Sequence, residues 1–434
     1  MVGRCYWLFF IFLVASGCQK DTENVPPQIE RVLPLYNSVS LFYEQTLECN
    51  YTISDNDALA SYQAFLKNES GQIVFSKGGA LSGNSSSVSF IIHHDDPHWA
   101  SGNYTLSFQL EDAAGNTASN FLQIQLSEAP LELLNIFLIT DDPGQSSSIY
   151  GFSSDGNNEL LASVNHDIAA SLAGSWYSDL VLGGDQLAEL SFLSADNFST
   201  LNQYSEQNPL GGSFISDIIF DADDLDYYVS TFDQQISRYG AGGNLEFTFQ
   251  VNSSFRPTEL AVWENLIIAI TDPINNGDQT FNLYFKASGT LNLSLTLDFE
   301  VVELQIWEDY VVLFGNDAQN NPKLTLFDLE SQSLFEPGWL VGSEEILAAN
   351  YLEDNWFAIA HGNGIYLHNF SNGSFFDGST NGVSASRLAY DPLSSLVYGL
   401  AGNQLYQINL AGGNVVNSFP IPGGTQEVCL LFNK

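Results

Sequence analysis

The sequence predicts an all-β chain in which a β-sandwich over residues 28–129 precedes a seven-bladed β-propeller over residues 131–434. Three observations support this prediction. Short runs of alternating apolar residues, separated by Gly, Asn and Asp, indicate strands joined by tight turns. The first of the two regions contains no long stretch with helical apolar spacing. In the second region, a unit of about 42 residues recurs seven times.

The first 17 residues predict a secretory signal. Arg4 supplies a positive charge, and residues 6–14 form an apolar run that suits a signal but is too short to span a bilayer. Residues 15–17 (Ala-Ser-Gly) then precede Cys18, and this segment resembles the cleavage site of bacterial lipoproteins. The resemblance implies that Cys18 is acylated and anchors the chain by lipid. The alternative is ordinary signal cleavage beside an incidental cysteine.

The five residues after Cys18 resemble the surface export signal of Bacteroidetes lipoproteins. This resemblance implies an outer-membrane lipoprotein that faces the cell exterior. Residues 24–27 (Asn-Val-Pro-Pro) complete a tether over residues 18–27, because consecutive prolines keep a chain extended and stiff. The residues of the export signal are Gln19, Lys20, Asp21, Thr22 and Glu23.

Residues 28–129 contain seven alternating apolar runs, which predicts a β-sandwich. Near the end of this region, Tyr104 opens a strand after Gly-Asn, and a D-x-x-G-N turn covers residues 112–116. Both features resemble the last hairpin of bacterial Ig-like and fibronectin-type extracellular domains. The resemblance implies an Ig-like fold and brings no established activity.

Two polar clusters in this domain are candidate metal ligands. Asp55 and Asp57 offer oxygens of the kind that calcium binds, although they lack the glycine and the distal glutamate of an EF-hand loop. His94 and His98 share a segment with aspartates, and two imidazoles with a carboxylate can bind zinc. The alternatives are a turn for the aspartates and a polar loop packed by Trp99 for the histidines.

Two cysteines follow Cys18, and they lie one in each predicted domain. A disulfide within either domain is therefore excluded. Cys49 and Cys429 both lie in apolar, strand-like runs, which predicts buried free thiols.

The repeat in residues 131–434 consists of a charged residue, an apolar run, a turn and a second apolar strand. Its charged positions are spaced by 38, 42, 44, 42, 42 and 40 residues, which is typical of four-stranded propeller blades. Units such as residues 389–410 resemble blades of the YVTN, NHL and WD40 groups, although the Trp-Asp dipeptide is absent. Only one strand follows the last position, so we expect it to complete the first blade.

The recurring charged positions predict a candidate site. In a propeller the innermost strand of each blade lines the channel, so equivalent positions lie at one height. We expect six carboxylates and one arginine at the channel mouth, where they would attract cations and could hold calcium. The alternative is that they cap the inner strands and bond the backbone of neighbouring blades. The positions are Asp179, Asp217, Glu259, Glu303, Glu345, Arg387 and Glu427.

The charge balance and the missing motifs restrict the function. The chain has 11 Lys and Arg against 51 Asp and Glu, a net charge of −40, which excludes nucleic acid as a partner. The sequence contains no nucleophile elbow, Walker loop or H-E-x-x-H motif. We therefore expect a non-enzymatic binding, adhesion or scaffold protein whose propeller loops contact protein or glycan. The alternative is a propeller lyase or glycosidase that acts on extracellular polysaccharide.

Overall fold

The computed structural model describes residues 25–142, 146–186, 189–205, 214–338, 344–371, 373–376 and 382–434. These residues form an all-β chain in which the one helical element is a 3₁₀ turn at Ala241–Gly243. The chain divides into two compact units, with the boundary between Pro130 and Leu131. Within the same residues, no helix has the length and apolar character needed to cross a membrane.

The first unit consists of two sheets packed around an aromatic core. β1, β3 and β6 form one sheet, and the other has the order β2-β8-β7-β4-β5, with β2 parallel to β8. Tyr51 and Phe108 stack between the two sheets with their ring centroids 4.0 Å apart. The strands are β1 (Gln28–Leu33), β2 (Ser38–Leu41), β3 (Thr46–Ser54), β4 (Leu59–Lys67), β5 (Ile73–Ala80), β6 (Ser85–His93), β7 (Gly102–Asp112) and β8 (Thr117–Leu126).

Strand β1 is the one element of this unit that the sequence does not predict. Glu30 and Arg31 interrupt its apolar alternation, so the pattern of a half-buried strand is lost. β1 lies at the edge of its sheet, where charged side chains remain in solvent. Ile29 nevertheless packs against the core and holds the strand in place.

The described residues of the second unit form seven four-stranded antiparallel sheets. Six of them run in chain order: β12–β15, β16–β19, β20–β23, β24–β27, β28–β31 and β32–β35. The seventh has the order β11-β10-β9-β36 and so joins strands from both ends of the unit.

Taken in chain order, the strands of the second unit begin with β9 (Leu133–Asp142), β10 (Ser146–Phe152), β11 (Asn158–Val164), β12 (Ala170–Gly174), β13 (Asp179–Gly183), β14 (Glu189–Ser194), β15 (Thr200–Ser205), β16 (Ile215–Asp221), β17 (Asp226–Thr231), β18 (Gln235–Gly240), β19 (Asn244–Gln250), β20 (Phe255–Trp263), β21 (Leu266–Pro273), β22 (Thr280–Phe285) and β23 (Leu291–Thr296). The remaining strands are β24 (Glu300–Trp307), β25 (Tyr310–Asn316), β26 (Pro322–Asp328), β27 (Ser333–Phe335), β28 (Ile346–Tyr351), β29 (Trp356–His361), β30 (Gly364–Asn369), β31 (Ser374–Phe376), β32 (Arg387–Asp391), β33 (Leu396–Ala401), β34 (Gln404–Asn409), β35 (Asn414–Pro420) and β36 (Thr425–Phe432).

The innermost strands of the seven sheets form a closed succession. β12, β16, β20, β24, β28, β32 and β36 contact one another in that order, and β36 contacts β12. Apolar side chains fill the space between neighbouring sheets. Phe281 and Phe327, for example, come from adjacent sheets and their ring centroids lie 4.6 Å apart. Each sheet therefore buries both of its faces against its neighbours, which gives the unit a propeller-like fold.

A buried ion pair also joins two neighbouring sheets. Lys286, directly after β22, donates from Nζ to the Asp221 carboxylate at the end of β16, and to Asp224 Oδ2 at 3.0 Å. The side chains of Lys286 and Asp221 are only 7% and 4% exposed. Burial by itself lowers the pKa of Lys286, but the two carboxylates outweigh this effect and raise the pKa above its usual range. The amine therefore stays charged inside the fold.

We expect Lys286→Met to reduce the free energy of unfolding by about 3–5 kcal/mol, because the Asp221 carboxylate would be buried without a cationic partner. Urea denaturation measures this change. Lys323→Met is the matched control, since Lys323 pairs with Glu336 where the side chains are 30% and 58% exposed. The control should lose less than about 1 kcal/mol. Similar losses of unfolding free energy in the two variants would contradict the conclusion that burial makes the Lys286–Asp221 pair important for stability.

Candidate functional site

The seven innermost strands surround a cavity of about 630 Å³. On β16, β20, β24, β28 and β36, a β-bulge immediately precedes the residue that lines this cavity. The bulge turns the following side chain inward at the same level on each strand. We call seven of the lining residues, one from each inner strand, the channel ring, and they are Ser171, Asp217, Glu259, Glu303, Ala348, Arg387 and Glu427.

Asp217 connects two strands of the channel ring. Its Oδ2 accepts a hydrogen bond from the backbone N of Leu260 on β20 at 2.7 Å. Its Oδ1 accepts from the backbone N of Ile218 at 2.8 Å. This side chain therefore caps its own strand and bonds the backbone of the neighbouring sheet, as the alternative interpretation of the sequence proposes.

Glu259 and Glu303 are less constrained. Gln305 Nε2 donates to Glu303 Oε1 at 3.0 Å. Within the part of the chain that the structure describes, no hydrogen bond reaches the Glu259 carboxylate. Since β16, β20 and β24 are successive inner strands around the cavity, Glu259 lies between two other carboxylates and faces the cavity. Negative charge is thus concentrated on one side of the ring.

Arg387 balances the opposite side of the ring. Its Nε donates to Glu427 Oε1 at 2.9 Å, and its Nη1 donates to the carbonyl oxygen of Ser386 at 2.9 Å. The Arg387 side chain is 48% exposed, whereas that of Glu427 is 12% exposed. The Glu427 carboxylate raises the pKa of Arg387 further above its usual range, so the guanidinium remains charged.

Burial raises the pKa of every carboxyl group in the ring. It raises the pKa of Asp217 to about 6, against the lowering effect of two backbone hydrogen bonds. Burial and the charge of Asp217 raise the pKa of Glu303 to about 8. Burial, with Asp217 and Glu303 beside it, holds the pKa of Glu259 well above its usual range. Burial therefore opposes ionisation of these carboxyl groups, and a bound cation would favour it.

Two of the predicted ring positions lie elsewhere, and these predictions are wrong. Asp179 begins the second strand of its sheet, β13, where it is buried and accepts a hydrogen bond from the Tyr227 hydroxyl. Burial raises its pKa to about 6. Glu345 lies one residue before β28, and its carbonyl accepts from Gly362 N at 3.0 Å.

On β12 and β28 the cavity is lined instead by Ser171 and Ala348, and neither carries a charge. In the fifth repeat, Ile346 precedes the bulge as Ile215 does in the second, which identifies Ala348 rather than Glu345 as the equivalent position. Aligning the repeats on the apolar residue that precedes the bulge would have identified Ala348 from the sequence. No such signal marks Ser171, since no bulge interrupts the pairing of β12 with β13.

The candidate metal ligands of the first unit do not come together. Asp55 Oδ2 accepts from Asp57 N at 2.8 Å and forms a turn. His94 is fully buried, its Nε2 donates to the Ser127 carbonyl at 2.8 Å, and its ring stacks on Trp99. His98 Nδ1 donates to an Asp96 carboxylate oxygen at 2.9 Å. Among the described residues, no group of three His, Cys, Asp or Glu is placed to hold a metal ion.

The cysteines divide between described and undescribed parts of the chain. Cys49 and Cys429 are buried free thiols, as predicted, and burial raises the pKa of each to about 12. Cys18 and the predicted export signal over residues 19–23 lie outside the described residues.

No family model and no curated protein matches this chain. A structure from Desulfotomaculum acetoxidans DSM 771, of a functionally unknown protein, has a TM-score of 0.52 and 12% identity, and the match covers 68% of this chain and 99% of that one. The WD40 repeats of RRP9 have a TM-score of 0.48, 12% identity and coverage of 66% and 87%. The mitotic checkpoint complex has a TM-score of 0.48, 14% identity and coverage of 67% and 85%. At these identities the likeness concerns the fold alone.

We expect the free energy of unfolding to fall as the pH rises from about 5 to about 9, since carboxyl groups with raised folded-state pKa values stabilise the fold only while protonated. The pKa values of about 6 for Asp217 and about 8 for Glu303 place the loss in this window. Urea denaturation at several pH values measures it. Glu303→Gln should flatten the upper part of the curve.

The matched control is Glu308→Gln, which removes one carboxylate from an exposed position after the same strand. It should leave the slope unchanged. Stability that rises with pH across this window, or equal flattening in the two variants, would contradict the prediction.

Proposed function

We propose that the second unit is a seven-bladed β-propeller and the first an Ig-like β-sandwich. Seven four-stranded sheets with a closed succession of inner strands support the propeller. Two packed sheets and the turn over residues 112–116 support the Ig-like fold. In that turn, Asp112 Oδ1 accepts hydrogen bonds from the backbone N of Ala114 at 2.9 Å and of Asn116 at 2.7 Å.

We propose that the protein is a non-enzymatic binding module whose channel ring receives a cationic group of a protein partner, such as a lysine or arginine side chain. The observation that carries this proposal is the Glu259 carboxylate. It faces the cavity between Asp217 and Glu303, and no hydrogen bond from the described residues reaches it. A cation at this point would interact favourably with three carboxylates inside a partly dehydrated space.

The remaining ring residues explain why the cation would bind on one side. Arg387 already neutralises Glu427, while Ser171 and Ala348 carry no charge. The loops around the ring would contact the rest of the partner, whether protein or glycan. In this function the ring selects the charge of the ligand and the loops select its shape.

We expect tetralysine to bind the full chain and to bind more tightly as the pH rises from about 6 to about 9, because the ring carboxyl groups lose their protons over this range. Isothermal titration calorimetry measures the affinity. Replacing both Asp217→Asn and Glu259→Gln should weaken binding by about tenfold or more.

The matched control combines Glu264→Gln with Glu308→Gln, which removes the same charge from exposed positions. It should bind tetralysine as the parent does. If both double variants bind tetralysine equally more weakly than the parent, overall charge explains the effect and the proposed site is wrong. If calorimetry shows binding of calcium chloride but no binding of tetralysine, the proposal that the ligand is an organic cation is wrong.

We propose further that the protein is an outer-membrane lipoprotein exposed at the cell surface. Support comes from the signal over residues 1–17, the small residues before Cys18 and the export signal over residues 19–23. Acyl chains on one cysteine anchor a protein stably when more than one is attached.

We expect Cys18→Ser to abolish incorporation of labelled palmitate and to release the protein from the membrane fraction of a Bacteroidetes host. Cys5→Ser is the control, since it removes a cysteine from the signal and leaves Cys18 intact. Protease added to intact cells should degrade the parent protein. Palmitate retained in Cys18→Ser, or full protease protection of the parent, would contradict this proposal.

A further inference from the structure

The five-stranded sheet of the first unit has one face in the core and one face outward. In the middle of the outward face, Phe65 on β4 lies opposite Ser107 on β7, and Ser107 lies opposite Phe121 on β8. The three residues therefore form one row across neighbouring strands, which we call the aromatic platform. Phe121 is 58% exposed, and Phe65 is half-buried outside the apolar core.

Ser107 is unusual for an outward-facing residue of a sheet. It is only 8% exposed, because it lies between the two aromatic side chains. Its hydroxyl has no hydrogen-bond partner in the part of the chain that the structure describes. Buried hydroxyl groups are normally paired, so an unpaired one beneath an open surface is a position where a ligand can supply the partner.

The side chains around the platform are mostly neutral and capable of hydrogen bonding. One of their groups is already paired, since Thr105 Oγ1 donates to Gln123 Oε1 at 3.2 Å. Two cations lie beside the platform: Lys67 Nζ is 5.8 Å from the Phe65 ring centroid, and Arg31 Nη1 donates to the Phe121 carbonyl oxygen at 3.0 Å. In a chain with a net charge of −40, no carboxylate occurs in residues 63–67, 105–109 or 119–123, which surround the platform. The neutral side chains are Gln63, Thr105, Gln109, Ser119 and Gln123.

We propose that the aromatic platform binds a neutral polysaccharide. A sugar ring presents C–H groups to an aromatic face and hydroxyl groups around its edge, where glutamine amides can both donate and accept hydrogen bonds. Phe65 and Phe121 are two strands apart, about 10 Å at the usual strand spacing, which suits consecutive sugar rings on an extended chain. The Ser107 hydroxyl lies between them and pairs with a sugar hydroxyl.

The same observations favour a glycan over a protein partner. A stable protein interface buries about 800 Å² on each partner around a well-packed apolar centre. Here the apolar centre consists of two rings separated by a serine, on a flat surface of amides. This site is independent of the channel ring, so the two proposals succeed or fail separately.

Affinity electrophoresis of the full chain in native gels tests the proposal, with hydroxyethyl cellulose, xyloglucan or galactomannan in the gel. We expect at least one of these neutral polymers to retard the protein, and Phe121→Ser to weaken the retardation about tenfold. Ser107→Ala should weaken it several-fold without lowering the thermal unfolding temperature, because the lost hydroxyl has no partner within the protein.

Phe335→Ser is the matched control, since Phe335 is a 41% exposed aromatic residue of the second unit. It should be retarded as the parent is, and alginate should retard none of the variants. Failure of all three neutral polymers to retard the parent would overturn the proposal. So would retardation that Phe121→Ser leaves unchanged, or a purified protein partner whose binding, rather than that of glycan, depends on Phe121.

Discussion

Closure of the inner strands into a ring is the constraint on which the rest of the second unit depends. Each sheet buries its faces only if it has a neighbour on both sides, and the last neighbour must be the first sheet. β36 meets this requirement by pairing with β9, so one sheet is built from both ends of the unit. Closure also brings together ring carboxylates that lie about 40 residues apart in sequence, and it places them around one cavity.

The same closure has an electrostatic cost, and the distribution of the few basic residues shows how the fold reduces it. Four carboxylates face one cavity, and burial raises the pKa of each. Repulsion by neighbouring carboxylates adds to this effect for Asp217, Glu259 and Glu303. Arg387 offsets Glu427 within the ring, and Lys286 offsets Asp221 between two sheets. Basic residues elsewhere in residues 131–434 also form salt bridges, and those that do so include Arg238, Arg256 and Lys323.

The two units differ in the kind of surface that they offer to a ligand. The channel ring combines charges in a concave site, which suits a small cationic group. The aromatic platform is flat, and its side chains are mostly uncharged, which suits a neutral chain with many hydroxyl groups. Both sites arise from residues on strands rather than on loops, so their geometry follows from strand pairing.

The sequence by itself determined the all-β class, most strands of the first unit, the repeat in the second and five of the seven ring residues. These features depend on local alternation and on a regular spacing, which can be read along the chain. It did not reveal β1, whose charged residues mask the alternation, and it placed Asp179 and Glu345 in the ring. Only the tertiary structure decided that Ser171 and Ala348 face the cavity and that Ser107 lies between Phe65 and Phe121. A bulge changes which side chain points inward, and cross-strand neighbours come from distant parts of the chain, so neither follows from spacing alone.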